Sequence, residues 1–273
     1  MDLPGGLWQS NERRRDFAFK PITGTVELAV AESLEDESPL PVRVTGVLAQ
    51  ALDRLGGEIP TPGMIRELAV GDRQYLMRRL AVLLGIDRMW LNAYCRGCAA
   101  PFDFSVQNSL LPVKQADEGF PYVQVETSLG VCRFRVPLGS DQEFVAGLAA
   151  DQEALRTLLG RCLVTVDGAS VAADAGLISR LQDAEIGRIE AAMERVAPEV
   201  TTSAETRCPE CGALNVVQID PYVCLSHGLG DIYAQVHVLA IHYHWSEADI
   251  LGLPRGRRQV YLDLIDRARG MTH

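Results

Sequence analysis

Four cysteines arranged as two Cys-x2-Cys turns, Cys95-Arg96-Gly97-Cys98 and Cys208-Pro209-Glu210-Cys211, are the residues of this chain best suited to chemistry. Together they supply the four thiolates of a tetrahedral structural metal site, with zinc as the usual ion. Each turn has matching surroundings. Leu91 to Tyr94 leads into the first and Phe102, Phe104 and Val106 alternate after it, while Leu214, Val216, Val217 and Ile219 follow the second. That pattern predicts strand, knuckle, strand, twice.

Gly212 follows the second turn and can take the positive φ that aims backbone N–H groups at sulfur, whereas Ala99 holds the equivalent position in the first. Ribbons of this kind usually separate their pairs by about 15–20 residues. Here Ala99 to Arg207 intervene, so a whole subdomain is expected between the halves. Closing such a loop costs roughly 4 kcal/mol plus a constant, against about 10–16 kcal/mol for structural zinc in finger peptides. The alternatives are two unrelated reduced pairs or a redox Cys-x-x-Cys, which needs only one pair.

A second candidate cluster is His237, His242 and His244 beside Trp245 and Glu247. One helix can place His237 and His244 on a common face, as a catalytic zinc or iron would require. His242 falls off that face and no His-Glu-x-x-His occurs, so packing at a helix end is the plainer reading. Hydrolase elbows, a Walker loop and a dinucleotide-binding glycine fingerprint are all missing from the sequence. Neither catalysis nor a small-molecule substrate is expected.

A formal charge of −10 argues against a sequence-independent grip on nucleic acid. The run Arg255-Gly256-Arg257-Arg258 reads as a solvated helix start. No apolar run reaches the roughly 20 residues of a membrane helix, and no secretory leader is evident at the N-terminus, so a cytoplasmic protein without membrane contacts is expected. The remaining cysteines are Cys132, Cys162 and Cys224. Cys132 alternates with Phe134 and Val136, and Cys162 ends an apolar helical stripe, which makes both core residues.

The elements that position the cysteines follow from periodicity. Residues 1–20, with Arg13, Arg14 and Arg15, read as a flexible arm, and Phe17 to Val30 as a short hairpin around Thr23-Gly24. Residues 21–90 are mainly helical: Val42 to Leu55 ended by Gly56-Gly57, a helix capped by Thr61 with Pro62 at its first position, and one from Asp72 burying Leu76, Leu80, Leu83 and Leu84. Residues 91–221 form the split ribbon. Its insertion, about residues 107–200, carries a hairpin, Tyr122–Thr127 with Val131–Val136, a helix from a Ser140/Glu143 capping box through Phe144 to Cys162, a break over Asp167–Gly176, and a helix through Ile178, Ile189 and Val196. Residues 222–273 are helical, with Ser246 and Asp249 forming a capping box and a last helix over Val260–Ala268. The expected class is α+β, mostly helical, with a zinc-ribbon-like antiparallel platform joined at the two knuckles.

Several segments resemble the phage T4-type baseplate hub assembly chaperone family of contractile tails and related injection systems. They are Ile22-Thr23-Gly24-Thr25-Val26-Glu27, Val70-Gly71-Asp72-Arg73-Gln74-Tyr75-Leu76, the pairs Cys95/Cys98 and Cys208/Cys211, Ala240-Ile241-His242-Tyr243-His244-Trp245-Ser246-Glu247, and Leu253-Pro254-Arg255. The resemblance implies a cytoplasmic, non-catalytic assembly factor that binds hub, spike or other tail proteins. A permanent baseplate subunit is the alternative, and a metalloenzyme using His237 and His244 a further one.

Overall fold

Asp2–Gln9 (β1) and Glu12–Phe19 (β2) pair as antiparallel strands, so these residues are part of the folded core and not a flexible arm. Their pattern is hidden because Pro4-Gly5-Gly6 shifts the register between Asp2 and Leu7. Leu3, Leu7 and Phe17 are fully buried. The arginine run stitches the hairpin: Arg13 Nε donates to the Gly5 carbonyl (2.5 Å), Arg15 Nε to that of Leu3 (2.7 Å) and an Arg14 guanidinium N–H to that of Gly56 (2.9 Å). The computed structural model describes residues 1–9, 12–148, 151–171, 175–225 and 232–270.

Gly24–Glu35 is a helix (α1), where a strand was expected. Val26 and Val30, two apart from Leu28 on either side, also stand at i and i+4, and the helical reading wins because both are buried against the core. Leu40–Ala51 (α2) stops short of Leu55, since Leu52–Leu55 (β3) pairs with β2 to complete a sheet ordered β1-β2-β3. Pro62–Arg66 (α3) is capped as expected, with Thr61 Oγ1 accepting from the Met64 N–H at 3.2 Å. Val70–Leu83 (α4) buries Leu76, Met77 and Leu80, but Leu83 is exposed. Asp72 is enclosed and accepts from the Gly5 and Gly6 amides at 2.6 and 2.9 Å, tying α4 to β1.

Arg88–Tyr94 (β4) and Pro101–Gln107 (β5) form the first ribbon hairpin, followed by Val113–Lys114 (β6). The insertion then builds its own core. Tyr122–Thr127 (β7) and Gly130–Arg135 (β8) make the expected hairpin. Gly139–Val145 (α5) and Asp151–Cys162 (α6) are two helices, not one, with residues 149–150 outside the described set. The cap is Asp141, accepting from the Leu138 N–H at 2.9 Å, and not the expected Ser140/Glu143 pair. Phe144 is exposed beneath the Arg161 guanidinium, 4.4 Å from its ring centre. Leu163–Val166 (β9), directly after the expected helix, and Ala169–Ser170 (β10), within the expected break over Asp167–Gly176, extend the sheet to β10-β9-β8-β7; residues 172–174 of that break lie outside the described set. Ala175–Ile178 (α7) packs on α6, while α6 and Asp183–Val196 (α8) pack on that sheet, and Cys132 and Cys162 are buried in the shared core.

The chain leaves the insertion through Glu199–Val200 (β11), which pairs with β6: Lys114 faces Glu199 and Val113 faces Val200. The entry and exit of the insertion are therefore held side by side. Ser203–Arg207 (β12) and Leu214–Gln218 (β13) form the second ribbon hairpin. Mixed helix and strand, with every described pairing antiparallel, agrees with the expected α+β class.

Ile232–Tyr243 (α9), Glu247–Leu251 (α10) and Arg255–Ala268 (α11) close the chain around Leu239, Ile250 and Ile265. Ser246 Oγ accepts from the Asp249 N–H at 3.2 Å, as the sequence predicted. Arg258 is not a solvated charge: it is fully buried and pairs with buried Glu27 at 2.7 Å. Thr23 bridges Pro254 beside it, so segments 22–27 and 253–255 meet although they lie at opposite ends of the chain. Among the described residues no helix is long and apolar enough to cross a membrane.

Removing one partner of a buried ion pair leaves an uncompensated charge. Glu27→Ala is therefore expected to destabilise the fold by about 3–5 kcal/mol, read from the urea midpoint, while the apolar double replacement Glu27→Leu, Arg258→Met recovers most of that loss.

Candidate metal centre

Each ribbon hairpin turns at its tip through a knuckle of the same backbone design. In the first, the Cys95 N–H donates to the Ala100 carbonyl and the Ala99 N–H to the Cys95 carbonyl, both at 2.9 Å. In the second, the Cys208 N–H donates to Ala213 and the Gly212 N–H to Cys208, again at 2.9 Å. Ala99 and Gly212 occupy the same left-handed conformation, with φ of 58° and 74°. The alanine that weakens the first motif in sequence thus adopts the glycine geometry, at a steric cost from its Cβ.

The two tips face each other and bring Cys95, Cys98, Cys208 and Cys211 together, all four sulfurs within 4.8 Å of one another. Cys95 Sγ lies 3.6 Å from Cys211 Sγ, and Cys98 Sγ 3.8 Å from Cys208 Sγ. Sulfurs bonded tetrahedrally to one ion at about 2.3 Å stand about 3.8 Å apart, whereas a disulfide holds them at about 2.05 Å. The spacing fits thiolates around a shared metal ion. The two halves are interleaved: the short sulfur contacts both run across the hairpins, from one knuckle to the other.

Charge explains why a cation belongs there. The Cys98 and Gly97 amides point at the Cys95 sulfur and lower its pKa to about 6. The Cys98 thiol has the Ala100 amide to favour its thiolate, yet it is pushed up to about 12 by the Cys211 sulfur, by desolvation and by the sulfurs of Cys95 and Cys208. One negative charge is welcome in the cluster and further ones repel. A bound cation removes that repulsion, so binding is coupled to proton release.

Two residues that sequence reasoning missed complete the site. Asn215, on β13, is buried between the tips: its Oδ1 accepts from the Arg96 N–H (2.9 Å), and its Nδ2 donates to the Ala213 carbonyl (2.9 Å) and lies 3.7 Å from Cys95 Sγ. It cross-links the first knuckle to the second strand pair. Gly97 gives room for that approach, because a Cβ there would stand 3.1 Å from the Ala213 Cβ. A polar residue seven positions after Cys208, where the first motif has Phe102, was the one available signal.

The histidines do not assemble. His242 Nδ1 donates to the Val238 carbonyl at 2.9 Å, and His237 is exposed on α9. His244, at φ 55°, sits just beyond the end of α9. Among the described residues the four cysteines are the one group of three or more metal-ligating side chains gathered closely enough to share an ion. The Cys224 side chain lies outside the described residues. No family model, curated protein or solved structure matches this chain.

Asn215→Ala should leave the cysteines in place and lower metal affinity about 10- to 100-fold in a chelator competition, the usual effect of losing an outer hydrogen bond. Ala99→Gly should raise thermal stability by about 1 kcal/mol by relieving the left-handed backbone, an effect read from the melting midpoint of the metal-loaded protein.

Proposed function

We propose that this chain is a non-catalytic assembly factor for the baseplate hub of a contractile phage tail or tail-like injection apparatus, built on a zinc-stapled ribbon. One observation carries the binding role. The first ribbon hairpin, whose tip supplies two of the four sulfurs, presents Trp90 and Tyr94 on its outward face, 68% and 76% exposed. Large aromatics held on a rigid strand are strong anchors for a protein partner, since little side-chain entropy is lost on binding.

Four protein thiolates fill a tetrahedral shell and leave no open position for substrate, which is the arrangement of a structural zinc and not of a catalytic one. In this reading Cys95, Cys98, Cys208 and Cys211 are structural ligands and the ion fixes the platform. The client assignment rests on the resembling segments, which in this chain also hold the fold together. Asp72 of Val70–Leu76 anchors the N-terminal hairpin, and Thr23 and Glu27 dock on Pro254 and Arg258. The factor acts in the bacterial cytoplasm while hub, spike or other tail subunits assemble.

Co-expressed hub or baseplate subunits should be captured by the tagged chain, and Trp90→Ala with Tyr94→Ala should reduce capture at least tenfold without loss of bound metal. Finished particles should lack the chain by mass spectrometry; stoichiometric copies there would make it a permanent subunit instead. Elemental analysis should find one zinc per chain. Metal retained after all four cysteines are changed to serine would point to a second site, at His237 and His244, and to the enzyme reading.

A further inference from the structure

Helices α1 and α2 enclose an open groove of about 490 Å³, lined by Leu28, Ala29, Val42 and Gly46 together with the charged Glu32, Asp36 and Arg43. Two features of this groove are unexplained by the fold itself. Glycine is among the least favourable residues inside a helix, yet Gly46 sits in the middle of α2, and a Cβ added there would meet nothing within 4 Å. No internal neighbour needs the missing side chain. Gly46 is exposed, so the groove is left open at that point for a partner surface.

The second feature is electrostatic. Glu32, Glu35 and Asp36 gather at the C-terminal end of α1, where the helix dipole disfavours negative charge, and its last turn holds no basic residue. None of the three carboxylates makes an ion pair among the described residues. The Ser38 N–H and Arg43, in the groove lining, already favour the Asp36 carboxylate, and basic groups brought to the rim would relieve Glu32 and Glu35.

The complementary surface is present on the same molecule. On α11, Arg257, Val260, Leu264 and Arg267 follow at i, i+3, i+7 and i+10 and form one outward stripe. Val260 and Leu264 are 57% and 47% exposed, and both arginines are exposed without an ion pair among the described residues. Asp263 lies beside the stripe, held by Gln259 at 2.8 Å. The stripe is an apolar ridge flanked by cations, and the groove, although Arg43 also lines it, has carboxylates in excess, Glu32 and Asp36 with Glu35 nearby.

We propose that the α1/α2 groove of one copy receives the α11 stripe of a second copy, and that the protein forms a closed dimer by reciprocal exchange of this contact. The Arg258–Glu27 pair anchors the start of α11 to α1, so ridge and furrow belong to one end of the molecule. Two copies related by a two-fold axis can then make the contact twice and leave no open surface for further growth.

Sedimentation of the purified, metal-loaded full chain across the micromolar range tests this. The wild type should show a concentration-dependent monomer–dimer equilibrium. Gly46→Leu, which fills the furrow without an internal clash, and Leu264→Glu should each weaken it at least tenfold while the melting curve keeps its midpoint or rises. Each copy carries a formal charge of −10, so added salt screens repulsion and attraction alike, and a charge swap is the cleaner probe. Glu32→Arg should weaken the dimer, and Arg257→Glu added to it should restore at least part of the loss. A wild type that stays monomeric, or a dimer indifferent to Gly46→Leu, overturns the proposal.

Discussion

Everything in this architecture depends on two hairpin tips meeting although the chain between them is long. Two devices share that task. The sulfurs supply the final lock, but β6 and β11 have already paired where the insertion begins and ends. The entropy of closing the long loop is thereby carried largely by the folded insertion, whose own core is independent of the ribbon. An ion held by the four sulfurs would be left to fix only a short-range geometry, the docking of two knuckles already near each other.

That division explains the character of the site. Its backbone is duplicated, with matching hydrogen bonds in each knuckle, but its surroundings are not, because Asn215 serves the first knuckle from the second hairpin. Duplicated parts with one unsymmetrical cross-link give a single register for the two hairpins. A polar residue buried between them is specific in a way that apolar packing alone is not.

Much of this was legible in the residues. Cys-x2-Cys between alternating strands located both knuckles, Thr61-Pro62 and Ser246 with Asp249 marked real helix starts, and the 122–136 hairpin lay where its turn glycine put it. In each case the signal is local and matches the final structure. The failures are tertiary. Residues 2–19 look irregular because Gly5 and Gly6 are shaped around a carboxylate from Asp72, far along the chain. Val26 and Val30 satisfy both periods, and only the neighbouring core selects the helix. Leu52 to Leu55 continue a helical pattern but are captured by β2. Arg258 looks like a surface charge until Glu27 is found beside it.

The separation of the two knuckles also sets an order of events at the ribosome. Cys98 and Cys208 are 110 positions apart, and at about 5–20 residues per second the second knuckle follows the first by roughly 5–20 seconds. In that interval the intervening unit has time to collapse onto its own core, while the first pair of thiols waits without its counterpart. In newly made chains Cys95 and Cys98 therefore exist before Cys208 and Cys211, and an ion that uses all four sulfurs could be enclosed only once the second pair has emerged.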